Sequence, residues 1–415
     1  MIFNCALRAA GPLALAVGLV ACADSSNNAP APALDAFGAN DRFDVAISGL
    51  SADEDAAFTT GDGLFDLSLF PYDGLGPLYT RASCGQCHTD GVRGPGLVQK
   101  MVAVGADGVT PLADQSAFPY GHTVHPLVAG GGKTPVMPPA GMSDVKVTTR
   151  LGPPILGRGY MEAIADDEIL RVESEQAARA DAIHGHANRV TYASQPNPDT
   201  RFHSHQPGDA VIGRFGLKAR IAAVDDFTAD ALQGDMGITS PLRPTEISNP
   251  DGLTDDFKPG VDVTIDSVNA RAMYVRLTAI PKRPATPDAH AMQLFADTQC
   301  AACHVPSLKT RADYPIAALA GIDAPVYTDL LLHDLGDELA DGIIEGDATA
   351  RDWRTAPLIG LRFNKSFMHD GRAQTIDEAI RAHAGTGSEA NDSVSRYAAL
   401  SDDDRAALDA FVGAL

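Results

Sequence analysis

The chain is poor in cysteine, tryptophan and positive charge, and no apolar run is long enough to cross a bilayer. It has six cysteines in 415 residues, and Cys5 and Cys22 fall in the N-terminal segment. The other four form two close pairs, so none is left for a disulfide framework. Thirty-two Lys and Arg stand against 54 Asp and Glu, a formal net charge of −22. That balance excludes nucleic acid or an anionic membrane surface as an electrostatic partner and suits a basic one. Tryptophan occurs once, at Trp353. What remains is an ordinary soluble composition, 45% hydrophobic and 21% charged, which excludes a disordered chain. The length calls for two or three domains, each able to bury a core.

The N-terminus reads as a targeting segment. Arg8 is followed by the apolar stretch Gly11 to Val20, too short for a bilayer and right for the hydrophobic region of a signal peptide. The stretch ends in Leu19-Val20-Ala21-Cys22, which resembles a lipobox, in which the cysteine becomes the lipid-bearing N-terminus. Residues 1–21 are therefore expected to be a lipoprotein signal peptide. Residues 22–45, rich in Ser, Asn, Pro and Ala, are expected to be a tether. Ala23 after the cysteine, rather than Asp, favours the outer membrane, which places the protein on the periplasmic side of the envelope.

Each cysteine pair is followed at once by histidine: Cys84-Gly85-Gln86-Cys87-His88 and Cys300-Ala301-Ala302-Cys303-His304. Two thiols at this spacing on one helical turn reach the two vinyl groups of one haem, and the next residue turns its imidazole to the iron. A Cys-x-x-Cys alone also fits a thioredoxin-like redox pair or half a zinc site. Neither pair has a second one at zinc spacing, and neither follows a βαβ pattern. Two copies behind an export signal predict two covalently bound haem c groups, with His88 and His304 as axial ligands.

One attachment site per domain is expected, with the Pro-rich segment 281–287 as hinge. The first haem domain would span 46–280, with insertions, and the second 288–415. The fold class is mainly α: two cytochrome c-like haem domains, with long loops and minor β insertions in the N-terminal half. Ile265, Val268, Ala272, Val275 and Ala279 share one helix face; so do Leu408, Phe411, Val412 and Leu415. Ser401 is placed as an N-cap ahead of Asp402, Asp403 and Asp404. A weak internal repeat relates Arg150-Leu151-Gly152-Pro153-Pro154 to Arg354-Thr355-Ala356-Pro357-Leu358, each followed by Glu-Ala-Ile.

Further segments carry a resemblance. Asp73-Gly74-Leu75-Gly76-Pro77-Leu78, Gly213-Arg214-Phe215-Gly216-Leu217-Lys218-Ala219, Asp235-Met236-Gly237-Ile238-Thr239, Leu332-His333-Asp334-Leu335-Gly336, Asp352-Trp353-Arg354-Thr355-Ala356-Pro357 and Phe367-Met368-His369-Asp370-Gly371-Arg372 occur in order. Together they resemble the bacterial di-haem oxidoreductases, a family named for thiol oxidoreductase and peroxidase members and related to di-haem cytochrome c peroxidases. The resemblance implies that His383 is the distal ligand of the second haem, with Met368 as competitor, and allows a calcium ion between the haems. His333, His369 and Arg354 are expected to meet haem propionates or to brace loops, Arg354 through its bidentate fork. Relatives commonly place Trp between the haems, where this chain has Leu217. No spare cysteine supports thiol oxidation.

At the first haem the repeat places Glu173 and Glu175 over the iron, where a carboxylate could move the protons of peroxide. His122, His125, Met137 and Met142 are alternative sixth ligands. His184, His186, His203 and His205 are read as loop histidines, and Trp353 as core packing. The leading function is a peroxidase-like oxidoreductase. A small electron-carrier protein would deliver electrons through the second haem to the first, where peroxide or another small substrate reacts. The competing readings are a pure electron-transfer cytochrome with both irons six-coordinate, and a redox module of an envelope complex.

Overall fold

Caps set the helices. The computed structural model describes residues 44–94, 96–254, 257–284 and 288–415. The expected signal peptide, Cys22 and nearly all of the tether lie outside these residues. The α-helices are α1 (Ala52–Asp66), α2 (Arg158–Ala163), α3 (Asp166–Ala177), α4 (Val224–Met236), α5 (Ile265–Leu277), α6 (Ala289–Asp297), α7 (Cys300–Cys303), α8 (Ile376–Arg381), α9 (Asn391–Ala398) and α10 (Asp402–Gly413). Ser51 and Glu54 close a capping box at the start of α1, Thr375 and Glu378 at the start of α8. The Ser401 side chain accepts from Asp404 N, as the sequence predicted for α10. No helix among the described residues is long and apolar enough to cross a membrane.

The strands are short: β1 (Leu78–Tyr79), β2 (Leu97–Ala103), β3 (Leu127–Val128), β4 (Val145–Leu151), β5 (Arg189–Thr191), β6 (Ala210–Ile212), β7 (Leu308–Lys309), β8 (Asp323–Ala324), β9 (Leu332–Asp334) and β10 (Asp352–Arg354). Among the described residues they pair antiparallel, two by two: β1 with β3, β2 with β4, β5 with β6, β7 with β8 and β9 with β10. The protein is thus mainly α. The β2–β4 pair has a consequence for the site. Running from Leu97↔Leu151 to Ala103↔Val145, it leads the chain away from the first cysteine pair and returns it at Leu151–Pro154.

Val268 and Ala272 are fully buried, and Leu408, Phe411, Val412 and Leu415 join Leu294, Phe295 and Tyr397 in one cluster, as their spacing predicted. Ala279, placed on the same face as Val268, lies beyond the end of α5 at Leu277, where the chain turns extended and its N–H donates to Val45 O. The largest core cluster runs from Ile47 to Ile359 and draws on both sides of the Pro-rich segment. The described residues pack as one compact unit.

α1 lies against α5 at a distance only glycine permits. A Cβ on Gly61 would stand 2.3 Å from Ala270 O and 2.6 Å from Tyr274 Cβ, backbone and rigid side chain respectively. Gly61→Ala therefore pushes the two helices apart, and the expected result is a loss of about 1–3 kcal/mol in denaturant unfolding. An unchanged midpoint would contradict this packing.

Candidate functional site

Both Cys-x-x-Cys-His motifs close the same turn. His88 N donates to Cys84 O at 2.9 Å, and His304 N to Cys300 O at 2.9 Å. The second turn is α7; the first lies in irregular turns followed by a single 3-10 turn, Thr89–Gly91. Gly96 admits the chain beside the first motif, since a Cβ there would come 2.5 Å from Cys87 Sγ.

The first cavity holds about 890 Å³ of unfilled space, its mouth included. Cys84, Cys87 and His88 lie on one side, and Pro153 and Pro154, returned by β4, close another. α4 supplies Val224, Phe227, Thr228, Ala231 and Asp235, a stripe at helical spacing. Burial pushes the Cys84 and Cys87 thiols up to about 11. They are protonated and unreactive, the reverse of a thioredoxin-like pair. Burial pushes the His88 imidazole down to about 4, against the pull of the Pro153 carbonyl, so it is neutral and able to ligate a metal.

The second cavity is larger, about 1710 Å³ on the same measure. Cys300, Cys303 and His304 line it, with Ile376, Ala379, Ile380 and His383 as a second helical stripe from α8 and the turn that follows. The His304 and His383 rings lie 6.5 Å apart, centre to centre. His304 Nδ1–H donates to Tyr327 O at 3.2 Å, and His383 Nδ1–H to Ala379 O at 2.7 Å. Each pairing fixes the tautomer and leaves the lone pair on Nε2. Burial lowers both imidazoles, His304 to about 4. Two imidazoles bound to one metal from opposite sides, each bond about 2 Å long, have ring centres roughly 6 Å apart, which this spacing matches.

The cavities share a wall: Pro153, Pro154, Arg158 and Arg354 line both. The two guanidinium groups are buried, 7% and 5% exposed. Arg158 donates to Met161 Sδ (3.1 Å) and Leu156 O (3.4 Å), Arg354 to Gly216 O (3.0 Å) and Thr355 O (2.8 Å). Neither forms an ion pair with a described carboxylate. Burial pushes Arg158 down to about 9, with Arg354 adding repulsion, and pushes Arg354 down to about 10. Buried cations left without a counter-charge are costly. Arg93, on the second cavity alone, donates to the Ser366 and Met368 carbonyls and is likewise lowered to about 10. Two largely apolar cavities, each with a thiol pair and a neutral imidazole, and edged by cations that need anions, fit a haem with its two carboxylates.

Glu173 and Glu175 are not where the sequence repeat placed them, and neither lines the first cavity. α3 turns Ile169 and Val172 into the core, so its glutamates face away. Glu173 pairs with Arg189 at 2.8 Å and accepts from Ala187 N, and Glu175 pairs with Arg171 at 2.5 Å on the surface. Asp235 is the carboxyl that lines the cavity, pushed up to about 6 by burial against the pull of Lys100. Its helical register with Val224 and Ala231 was the signal for it. Met236, 3% exposed, lines the cavity too.

The alternative ligands lie elsewhere. His122 Nδ1 bonds Met101 O, His125 Nε2 bonds Gly234 O, and Met137 and Met142 are exposed. His184, His186, His203 and His205 line neither cavity; His203 is tied to Asp225 at 2.9 Å and stacks on His205. His333 lines the second cavity, clamped between Asp329 (2.9 Å) and Glu389 (2.7 Å); burial pulls its pKa down, but the neighbouring Cys303 sulfur and the Asp329 carboxylate outweigh it and raise the pKa. It braces the loop behind Cys303. Trp353, Leu217 and Met368 line the second cavity as well. The indole stacks on His369 at 3.9 Å, under the Lys218 ammonium.

Twin Cys-x-x-Cys-His cavities with a common cationic wall define a two-centre haem protein. Residues 140–415 match the family described as "Di-haem oxidoreductase, putative peroxidase", and the chain belongs to that family. No curated protein matches it. Among solved structures it is similar to the hydrazine synthase of Kuenenia stuttgartiensis (11% identity, 98% of this chain and 100% of that one, TM-score 0.37). It is also similar to the diheme peroxidase BthA of Burkholderia thailandensis (14% identity, 92% of each chain, TM-score 0.37). At these scores the likeness carries no functional argument.

Proposed function

We propose that the protein is a di-haem c-type cytochrome with peroxidase-like activity, built as two cytochrome c-like centres. Thioethers form at Cys84 and Cys87 and at Cys300 and Cys303, with His88 and His304 as axial ligands and His383 as the second ligand of the second haem. A haem held by two strong protein ligands would supply electron transfer, and one held by a single protein ligand would supply peroxide chemistry as well. The observation that carries the reading is the asymmetry of the cavities. The second holds two imidazoles 6.5 Å apart with both Nδ1 atoms tied to carbonyls, and the first offers His88 and the Asp235 carboxyl.

Reduction of peroxide to two waters consumes two electrons and two protons. A small basic carrier, drawn to the −22 chain, supplies the electrons at the second centre. Asp235 takes the proton from peroxide's near oxygen and returns it to the leaving one. Arg158 and Arg354 hold the haem carboxylates, and the α4 stripe of Val224, Phe227 and Ala231 keeps the first pocket apolar around the reacting oxygens.

Stepwise reduction followed by EPR tests this. The expected outcome is one low-spin and one high-spin haem, with two covalently retained haems per chain. Two low-spin haems throughout would favour the electron-transfer reading, which Met236 in the first cavity supports as a sixth ligand. No retained haem would end both.

The same reading puts lipid on Cys22 at the periplasmic face of the outer membrane. Cys22→Ser is expected to release the protein from the membrane fraction; retention would overturn the anchor.

A further inference from the structure

The first cavity has two arginines of its own: Arg81, half-buried and donating to Thr80 O (2.6 Å), and the buried Arg271, which donates to the Ser267 carbonyl (3.1 Å) and hydroxyl. The second has its own in Arg93. Arg158 and Arg354 belong to both. The charges are thus sorted: Arg81 and Arg271 face the first centre alone, Arg93 the second alone, and two are common to both. Backbone carbonyls and a thioether sulfur hold the common pair in place, and no described carboxylate neutralises either one. β4 and the loop after it fix Arg158 from the N-terminal half. Arg354 closes β10, and its backbone N–H donates to Leu217 O at 2.9 Å. The wall is therefore assembled from distant parts of the chain and cannot move with one centre alone.

We propose that Arg158 and Arg354 are a shared electrostatic clamp that ties the reduction potentials of the two haems together. The inference rests on the reading that each cavity holds a haem. A fixed positive charge stabilises the extra electron on a nearby iron, and a dry surrounding enlarges that effect. A charge that faces both centres raises both potentials. The clamp thus sets a common offset that moves the two potentials together, and the private arginines set the difference between them.

The test is spectroelectrochemical titration of the holoprotein and five variants. Arg158→Gln and Arg354→Gln are each expected to lower both midpoint potentials together. Arg271→Gln is expected to lower the first haem's alone, and Arg93→Gln the second's alone. Arg158→Lys keeps the charge and is expected to hold both potentials close to wild type, a rescue that a purely structural role would not give. If one neutral variant fails to fold, the other carries the same test. Arg158→Gln or Arg354→Gln moving one potential only, or neither, overturns the clamp. Covalent haem content, read on the same samples, separates the two failures: fewer than two haems in the wild-type protein breaks the haem reading, whereas two haems whose potentials do not shift together in Arg158→Gln and Arg354→Gln break the clamp alone.

Discussion

His383→Ala is expected to convert the second haem from low-spin to high-spin, with the first haem's signals unchanged in EPR. The effect should be close to complete, because on the proposed ligation the imidazole would be one of two strong ligands and the thioethers would keep the haem in place when it goes. Geometry makes His383 hard to replace from nearby. It sits one helical turn beyond Ala379 and Ile380 on the same stripe, and its Nδ1–H is committed to Ala379 O at 2.7 Å. The rival, Met368, has left-handed backbone at φ 66°, and its carbonyl is held by Arg93. His383→Met tests the ligand position from the other side. A thioether there keeps the iron low-spin and raises its potential relative to bis-imidazole ligation. If His383→Ala leaves both low-spin and high-spin signals as in wild type, His383 is not a ligand, and the asymmetry behind the proposed function is lost.

Asp235→Asn is expected to lower peroxide turnover about a hundredfold or more, the usual worth of a positioned acid–base group. The pH profile is the sharper readout. Burial raises this carboxyl from 3.8 to about 6. As a base it must be ionised, so wild-type turnover should fall as pH drops through about 6, and that limb should vanish in the variant. Stability moves the other way. A carboxyl whose folded-state pKa lies above its unfolded value costs stability as pH rises from about 4 through 6. The amide removes that cost, and Asp235→Asn should unfold at a higher temperature than wild type at neutral pH. Slower and more stable together mark a group kept for chemistry. Unchanged turnover with an unchanged acid limb would remove Asp235 from the mechanism.

The two Cys-x-x-Cys-His turns were legible because their geometry is local. Two thiols and an imidazole on one turn are positioned by a single backbone hydrogen bond, which both motifs make. Caps at Ser51, Thr375 and Ser401 and the apolar stripe of α10 follow from the same short-range rules. His383 was reached by resemblance, and the structure sets it 6.5 Å from His304. Glu173 and Glu175 went astray for a physical reason. A sequence repeat gives a position along the chain, but which side of α3 meets the core is decided by Ile169 and Val172.

By itself the sequence determined the pairs of thiols, the imidazole that follows each, the helix starts and the predominance of helix, because each depends on residues within a turn or two of one another. Only the tertiary structure decided that Asp235 closes the first cavity and that Arg158 and Arg354 stand in a wall common to both. Those placements depend on α4 lying against α5 and on β4 bringing Pro153 back beside His88, contacts between parts of the chain far apart in sequence, which no local spacing encodes.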